Sequence, residues 1–166
     1  QTTAIQSVND FHSFFPMEVI ASPGETAAFM AGAPDGWALV AEHRDYPVRM
    51  RHFIPQHWRE KQHASQANAH FESRVLRDEA FTFQVALLSG EDELRDVGLS
   101  FEGFPASWQD GITCFNCEGV NEKGDAFTRE INVKSGTVQP IWIGINVPPD
   151  QDPGTVEGRV TVSTSN

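Results

Sequence analysis

The chain has 166 residues, which is long enough for one domain with a substantial core. Its net charge of −11, from 23 acidic and 12 basic residues, repels phosphate backbones and therefore excludes nucleic acid as an expected partner. The sequence has no run of about 18 apolar residues that could span a membrane. Two cysteines are too few for a disulfide framework. The composition, 39% hydrophobic and 21% charged, is that of an ordinary globular protein.

A short helix is predicted near the N-terminus. Ser22 can cap it, Pro23 suits its first position, and Glu25 completes a capping box. We expect this helix to cover residues 25–31, because Gly32 and Pro34 stop it. A first strand is predicted at residues 37–41, and the proline- and arginine-containing segment that follows is expected to be extended or looped.

From residue 81 onward the sequence alternates between apolar and polar residues. Phe81, Phe83, Val85 and Leu87 form one such set, and the same period recurs in segments around residues 97–101, 131–133, 141–147 and 156–162. Period-2 segments separated by Gly, Pro, Asp and Glu clusters indicate half-buried antiparallel strands. The predicted fold is therefore all-β: a two-sheet antiparallel β-sandwich, immunoglobulin-like or jelly-roll-like, with a short N-terminal helix.

Cys114 and Cys117 form a Cys-x-x-Cys motif with several interpretations. A structural zinc site needs four ligands, and all six histidines precede Cys114 without the spacing of a zinc finger. In an extended strand the two Cα atoms would lie roughly 10 Å apart, beyond the reach of a disulfide, so a bridge requires a tight turn at residues 115–116. Two unbonded thiols are favoured over a metal site or a disulfide. We predict no metal ion and no cofactor.

The tryptophans and one arginine are the candidate contact residues. Trp142 alternates with the isoleucines of its strand, so it should face away from the core and need a cover. Trp108 follows a Phe-Pro pair in a loop and is the best exposed candidate for stacking on a sugar. We also include Trp58 and Arg49 as predicted carbohydrate-binding or domain-docking residues. No catalytic residue is predicted.

Several segments together resemble the N-terminal β-sandwich of glycoside hydrolase family 123. The matching elements are residues 81–84 (Phe-Thr-Phe-Gln), 113–116 (Thr-Cys-Phe-Asn), 119–120, 127–133, 138–144 (Val-Gln-Pro-Ile-Trp-Ile-Gly), 147–148 and 153–155. An upstream segment is similar to one that precedes that sandwich. It contains Glu42, Arg44, residues 47–50, Pro55 and Trp58. Cys117 departs from the family pattern, in which a second cysteine is not required.

The resemblance implies a non-catalytic N-terminal accessory domain of a bacterial enzyme acting on N-acetylgalactosaminides. Its partner would be a C-terminal (β/α)8 catalytic barrel of the same polypeptide, whose cleft it would help to shape, and the isolated chain would not be an enzyme. The alternative is an independent carbohydrate-binding module that contacts glycans. We expect an extension at residues 1–68, with a short helix and strand, packed on a sandwich core at 69–166 as one compact unit. The expected location is secreted, periplasmic or cell-surface, with the signal peptide absent from this sequence.

Overall fold

The computed structural model describes residues 16–33, 35–60 and 70–165. Helix α1 covers Pro23–Met30, and the predicted capping box is present: the Glu25 amide donates to the Ser22 hydroxyl and the Ser22 amide donates to the Glu25 carboxylate. Pro34, the second predicted stop signal, lies outside the described residues. The start of this helix could therefore be read directly from its local sequence.

Four antiparallel strands form the main sheet, in the order β1-β2-β8-β4. They are β1 (Trp37–His43), β2 (Ala80–Ser89), β8 (Val138–Asn146) and β4 (Ile112–Cys114). Strand β2 lies in the middle and pairs along its length with β1 and β8, placing Gln84 between Glu42 and Trp142. Both edges of β2 are therefore hydrogen-bonded to neighbouring strands.

A second sheet has the order β7-β3-β9, formed by Ile131–Val133, Leu94–Glu102 and Arg159–Ser163. Its apolar side chains and those of β2 and β8 share two hydrophobic clusters, in which Leu87, Ile141 and Ile143 are fully buried. The predicted two-sheet antiparallel sandwich is confirmed. A small hairpin of β5 (Glu118–Val120) and β6 (Ala126–Thr128) and a one-turn helix α2 (Ala106–Gln109) complete the described elements.

The expectation of a half-buried β2 is wrong, because both of its faces are covered. The second face packs on an N-terminal layer made by α1, the 3₁₀ turns Pro16–Glu18 and Gln56–Glu60, and residues 44–55. Met17, Ile54 and Trp58 of this layer share a cluster with Ala86 and Leu88 of β2. Gln84 is consequently 0% exposed although the pattern assigns it to a polar face.

Backbone groups of the protein replace the water molecules that the side-chain amide of Gln84 loses on burial. Its oxygen accepts from the Val48 amide at 3.0 Å, and its nitrogen donates to the carbonyl oxygens of Tyr46 at 2.9 Å and His43 at 3.3 Å. A buried amide with all these partners ties the loop after β1 to the sheet. Covering the second face is therefore compatible with a polar residue at this position.

The predicted boundary at residues 68 and 69 lies outside the described residues. Strand β1, which belongs to the predicted extension, hydrogen-bonds to β2 of the predicted core over residues 37–43. The N-terminal part thus contributes a strand to the main sheet as well as a layer over it. Among the described residues, no helix has the length and hydropathy needed to cross a membrane.

Candidate functional site

Two of the predicted contact residues are buried. Trp108 is 6% exposed, because the α2 turn directs it into the sandwich cluster, and its Nε1 donates to the Gln151 side-chain oxygen at 2.8 Å. Trp58 is 0% exposed in the N-terminal layer. Neither ring offers a face to a sugar or to another domain. The exposure predicted for Trp108 is wrong, and the contact roles predicted for Trp108 and Trp58 do not fit this structure.

Trp58 instead belongs to a buried polar cluster with Glu42. The Glu42 carboxylate accepts from Trp58 Nε1 at 2.9 Å and lies 3.2 Å from His57 Nε2. Glu42 is 3% exposed, so the carboxylate cannot reach a substrate in solution. These two contacts fix the 3₁₀ turn Gln56–Glu60 on β1. Glu42 and Trp58, both in the upstream segment of the resemblance, are therefore in direct contact.

Trp142 and Arg49 remain accessible. Trp142 is half-buried and, by the alternation of β8, lies on the face opposite Ile141 and Ile143, as predicted. The Arg49 side chain is 62% exposed and its Nη1 lies 3.4 Å from a Glu18 carboxylate oxygen. An exposed ion pair at this distance contributes little stability. The contact roles of these two residues stay predictions.

The Cys-x-x-Cys turn is bound directly to the strand that carries Trp142. The side-chain oxygen of Asn116 accepts a hydrogen bond from the Trp142 amide at 2.6 Å. The Phe115 amide donates to the Trp142 carbonyl oxygen at 3.0 Å. The backbone bond from Phe115 continues the β4–β8 ladder one residue beyond Cys114, and the Asn116 side chain takes the place of the next ladder bond. The motifs 113–116 and 138–144 of the resemblance are therefore neighbouring parts of one structural unit.

The far end of the Phe115 ring lies against this strand at Gly144. A Cβ atom built on Gly144 would approach the Phe115 ring to 2.6 Å, so only glycine leaves room for the ring. The outer part of the ring is uncovered, since Phe115 is 50% exposed. Phe115 and Trp142 thus form an accessible apolar surface on one face of β8, which we call the β8 aromatic surface.

Tyr46 is a third exposed aromatic residue, and its backbone is bound to the neighbouring strand β2. Its carbonyl oxygen is bound by Gln84, which is the cross-strand partner of Trp142. Tyr46 is 40% exposed. The sequence pattern predicted no role for Phe115 or Tyr46, although Phe115 belongs to the 113–116 motif. The alternation of apolar and polar residues gives no information about residues in turns.

Cys114 and Cys117 are unbonded thiols separated by 3.0 Å between their Sγ atoms. The Cys117 amide donates to the Cys114 carbonyl oxygen at 3.0 Å, which closes a β-turn at residues 115–116. Burial and the adjacent Cys114 thiol raise the pKa of Cys117 to about 12. The described part of the chain contains no group of three or more His, Cys, Asp or Glu side chains placed to hold a metal ion.

Comparison with known proteins gives a family match to the region that contains the turn at 114–117 and β8. Residues 109–164 match the family model described as the glycoside hydrolase 123 N-terminal domain. A solved family 123 glycoside hydrolase from Clostridium perfringens, described for glycolipid glycan hydrolysis, aligns over 54% of this chain with 14% identity and a TM-score of 0.42. The chain covers 19% of the length of that enzyme, and no curated protein matches. The region from α2 to β9 resembles the glycoside hydrolase 123 N-terminal domain, as the sequence motifs predicted.

Proposed function

We propose that this protein is a non-catalytic N-terminal accessory domain of a bacterial glycoside hydrolase and that it docks on a (β/α)8 catalytic domain of the same polypeptide. The observation that carries the proposal is the family match at residues 109–164. That region contains the turn at 114–117 and all of β8, which together build the β8 aromatic surface. The substrate class implied by the resemblance is an N-acetylgalactosaminide, in a secreted, periplasmic or cell-surface enzyme.

The β8 aromatic surface has properties suited to a domain contact. It is apolar, Trp142 stands on a paired strand, and the turn that carries Phe115 is held by two hydrogen bonds to Trp142. Aromatic side chains on a rigid support supply contact area at low cost in conformational entropy.

The test uses this chain and the catalytic domain encoded after it, produced as two polypeptides and titrated against each other by calorimetry. We expect a one-to-one complex that Phe115→Ala weakens about tenfold or more, as for a buried aromatic anchor. The matched control is Phe53→Ala, because Phe53 is 48% exposed and Phe115 50%, and Phe53 lies in the N-terminal layer. Equal losses in both variants, absence of a complex, or the lack of a barrel in the downstream coding sequence would contradict the proposal.

The isolated chain should not hydrolyse chromogenic N-acetylgalactosaminides. Catalysis by a stand-alone enzyme would instead give turnover that scales with the concentration of this chain. The measurement is release of the chromophore over time, with the complete glycoside hydrolase as positive control. Turnover by the purified chain would contradict the non-catalytic role.

The second candidate function is an independent carbohydrate-binding module, favoured by the accessible rings of Tyr46, Phe115 and Trp142. Sugar rings stack on such aromatic faces. Calorimetric titration with N-acetylgalactosamine-containing oligosaccharides separates the two functions. A binding module predicts an interaction that Trp142→Ala removes and Phe53→Ala keeps, whereas a docking domain predicts no binding by the isolated chain.

A further inference from the structure

The turn at residues 114–117 brings two thiols together at the edge of the sandwich core. Cys114 is 5% exposed and belongs to the core cluster of Leu87 and Ile141, while Cys117 is only partly buried. Their Sγ atoms are 3.0 Å apart, about 1 Å longer than a disulfide bond. A closed β-turn also keeps its first and fourth Cα atoms within about 7 Å, as a disulfide requires.

From this geometry we propose that Cys114 and Cys117 are a site of reversible oxidation, in which a disulfide forms across the turn and locks Phe115 and Asn116 against β8. The oxidant is a small-molecule or protein disulfide. The inference stands on the thiol geometry and does not depend on the proposed accessory function.

The reaction is two thiol–disulfide exchanges. The accessible Cys117 thiolate attacks one sulfur of the external disulfide, which forms a mixed disulfide and releases one external thiolate. The Cys114 thiolate then attacks Cys117 Sγ and expels the second half of the oxidant as thiolate. Two cysteine thiols are oxidised, one external disulfide is reduced to two thiols, and both protons pass through solvent to the released thiolates.

The first exchange should be slow at neutral pH. The thiolate is the attacking species, and burial with the neighbouring Cys114 thiol keeps Cys117 protonated at neutral pH by raising its pKa to about 12. Glu118 adds a nearby negative charge in the same direction. The rate of the first exchange should therefore rise about tenfold for each pH unit between 7 and 10.

The disulfide should stabilise the turn on β8. Closing a loop of four residues corresponds, by chain-entropy scaling and the thermal sensitivity of a domain of this size, to an increase in Tm of about 4–7 °C. The amide of Trp142, whose acceptor is the Asn116 side chain, should gain protection from hydrogen exchange. The amide of Gln84, in the neighbouring strand, is the internal reference.

The experiment incubates the 166-residue chain with oxidised glutathione at pH 8, unfolds it in the presence of a maleimide, and measures intact mass. We expect a mass lower by about 2 Da, no maleimide label and a monomer. Cys114→Ser should give a glutathione adduct at Cys117, because no second thiol resolves it. Two labels after exhaustive oxidation, a persistent glutathione adduct on the unmodified chain, or disulfide-linked dimers would overturn the site. A disulfide that leaves both Tm and Trp142 exchange unchanged would overturn the locking.

Discussion

Gly144→Ala should weaken the contact between β8 and the turn that carries Phe115. The new Cβ atom would lie 2.6 Å and 2.7 Å from two carbons of the Phe115 ring, closer than non-bonded carbons approach. The ring can leave by rotating about its own side-chain bonds, because Phe115 is 50% exposed. It then loses the buried half of its contact, and full burial of a phenylalanine contributes about 1.5–3 kcal/mol. The expected loss of unfolding free energy is about 1 kcal/mol.

The assay is urea unfolding followed by tryptophan fluorescence, carried out as a double-mutant cycle with Phe115→Ala. In the Phe115→Ala background the obstacle is gone, so Gly144→Ala should be neutral or stabilising by about 0.5 kcal/mol, as alanine in place of a strand glycine allows. The two substitutions should therefore show a coupling energy of about 1 kcal/mol. An equal loss of unfolding free energy in both backgrounds would refute the contact between Gly144 and the Phe115 ring.

Three further substitutions test the rest of the structure. Gln84→Leu should lower the free energy of unfolding by about 2–4 kcal/mol in urea titration, because it leaves buried backbone partners without hydrogen bonds; a loss below about 1 kcal/mol would show that the loop rearranges. Glu79 accepts the Leu76 amide and pairs with Arg44, and these contacts hold its pKa below its usual value of 4.5. Its stabilisation is present above pH 4.5 and is lost as the pH falls through the lower folded-state pKa, so Glu79→Gln should lessen the acid destabilisation seen in pH-dependent melting. Ser22→Ala removes the α1 cap and should cost about 1 kcal/mol by the same urea assay, whereas an unchanged midpoint would contradict the capping role.

The helix start and most long strands could be predicted because their signals are local. The Ser22 cap, the alternation on β3 and β8, and the motifs of the family resemblance all depend on residues close to one another in the chain. The face of Trp142 followed from the same period. The last strand was predicted around Gly158, but Arg159–Ser163 alone is paired, with Val156 packing from the preceding loop.

Burial of the candidate site residues could not be predicted in the same way. Trp108 and Phe115 both stand in turn-like sequence, yet one is enclosed in the sandwich and bound to Gln151 while the other is half-exposed on Gly144. The difference depends on which distant segment reaches each ring. No period or spacing near either residue contains that information.

The amino-acid sequence by itself determined the all-β class, the capped helix and the resemblance carried by motifs between residues 81 and 155, because pattern and motif are properties of the chain. Only the tertiary structure decided that a third layer buries Gln84 and that Asn116 binds the strand of Trp142. It also showed that the Cys-x-x-Cys segment forms the tight turn that a bridge requires, with its sulfurs 3.0 Å apart. These contacts join residues far apart in sequence, and their energies depend on a packing that no local segment specifies.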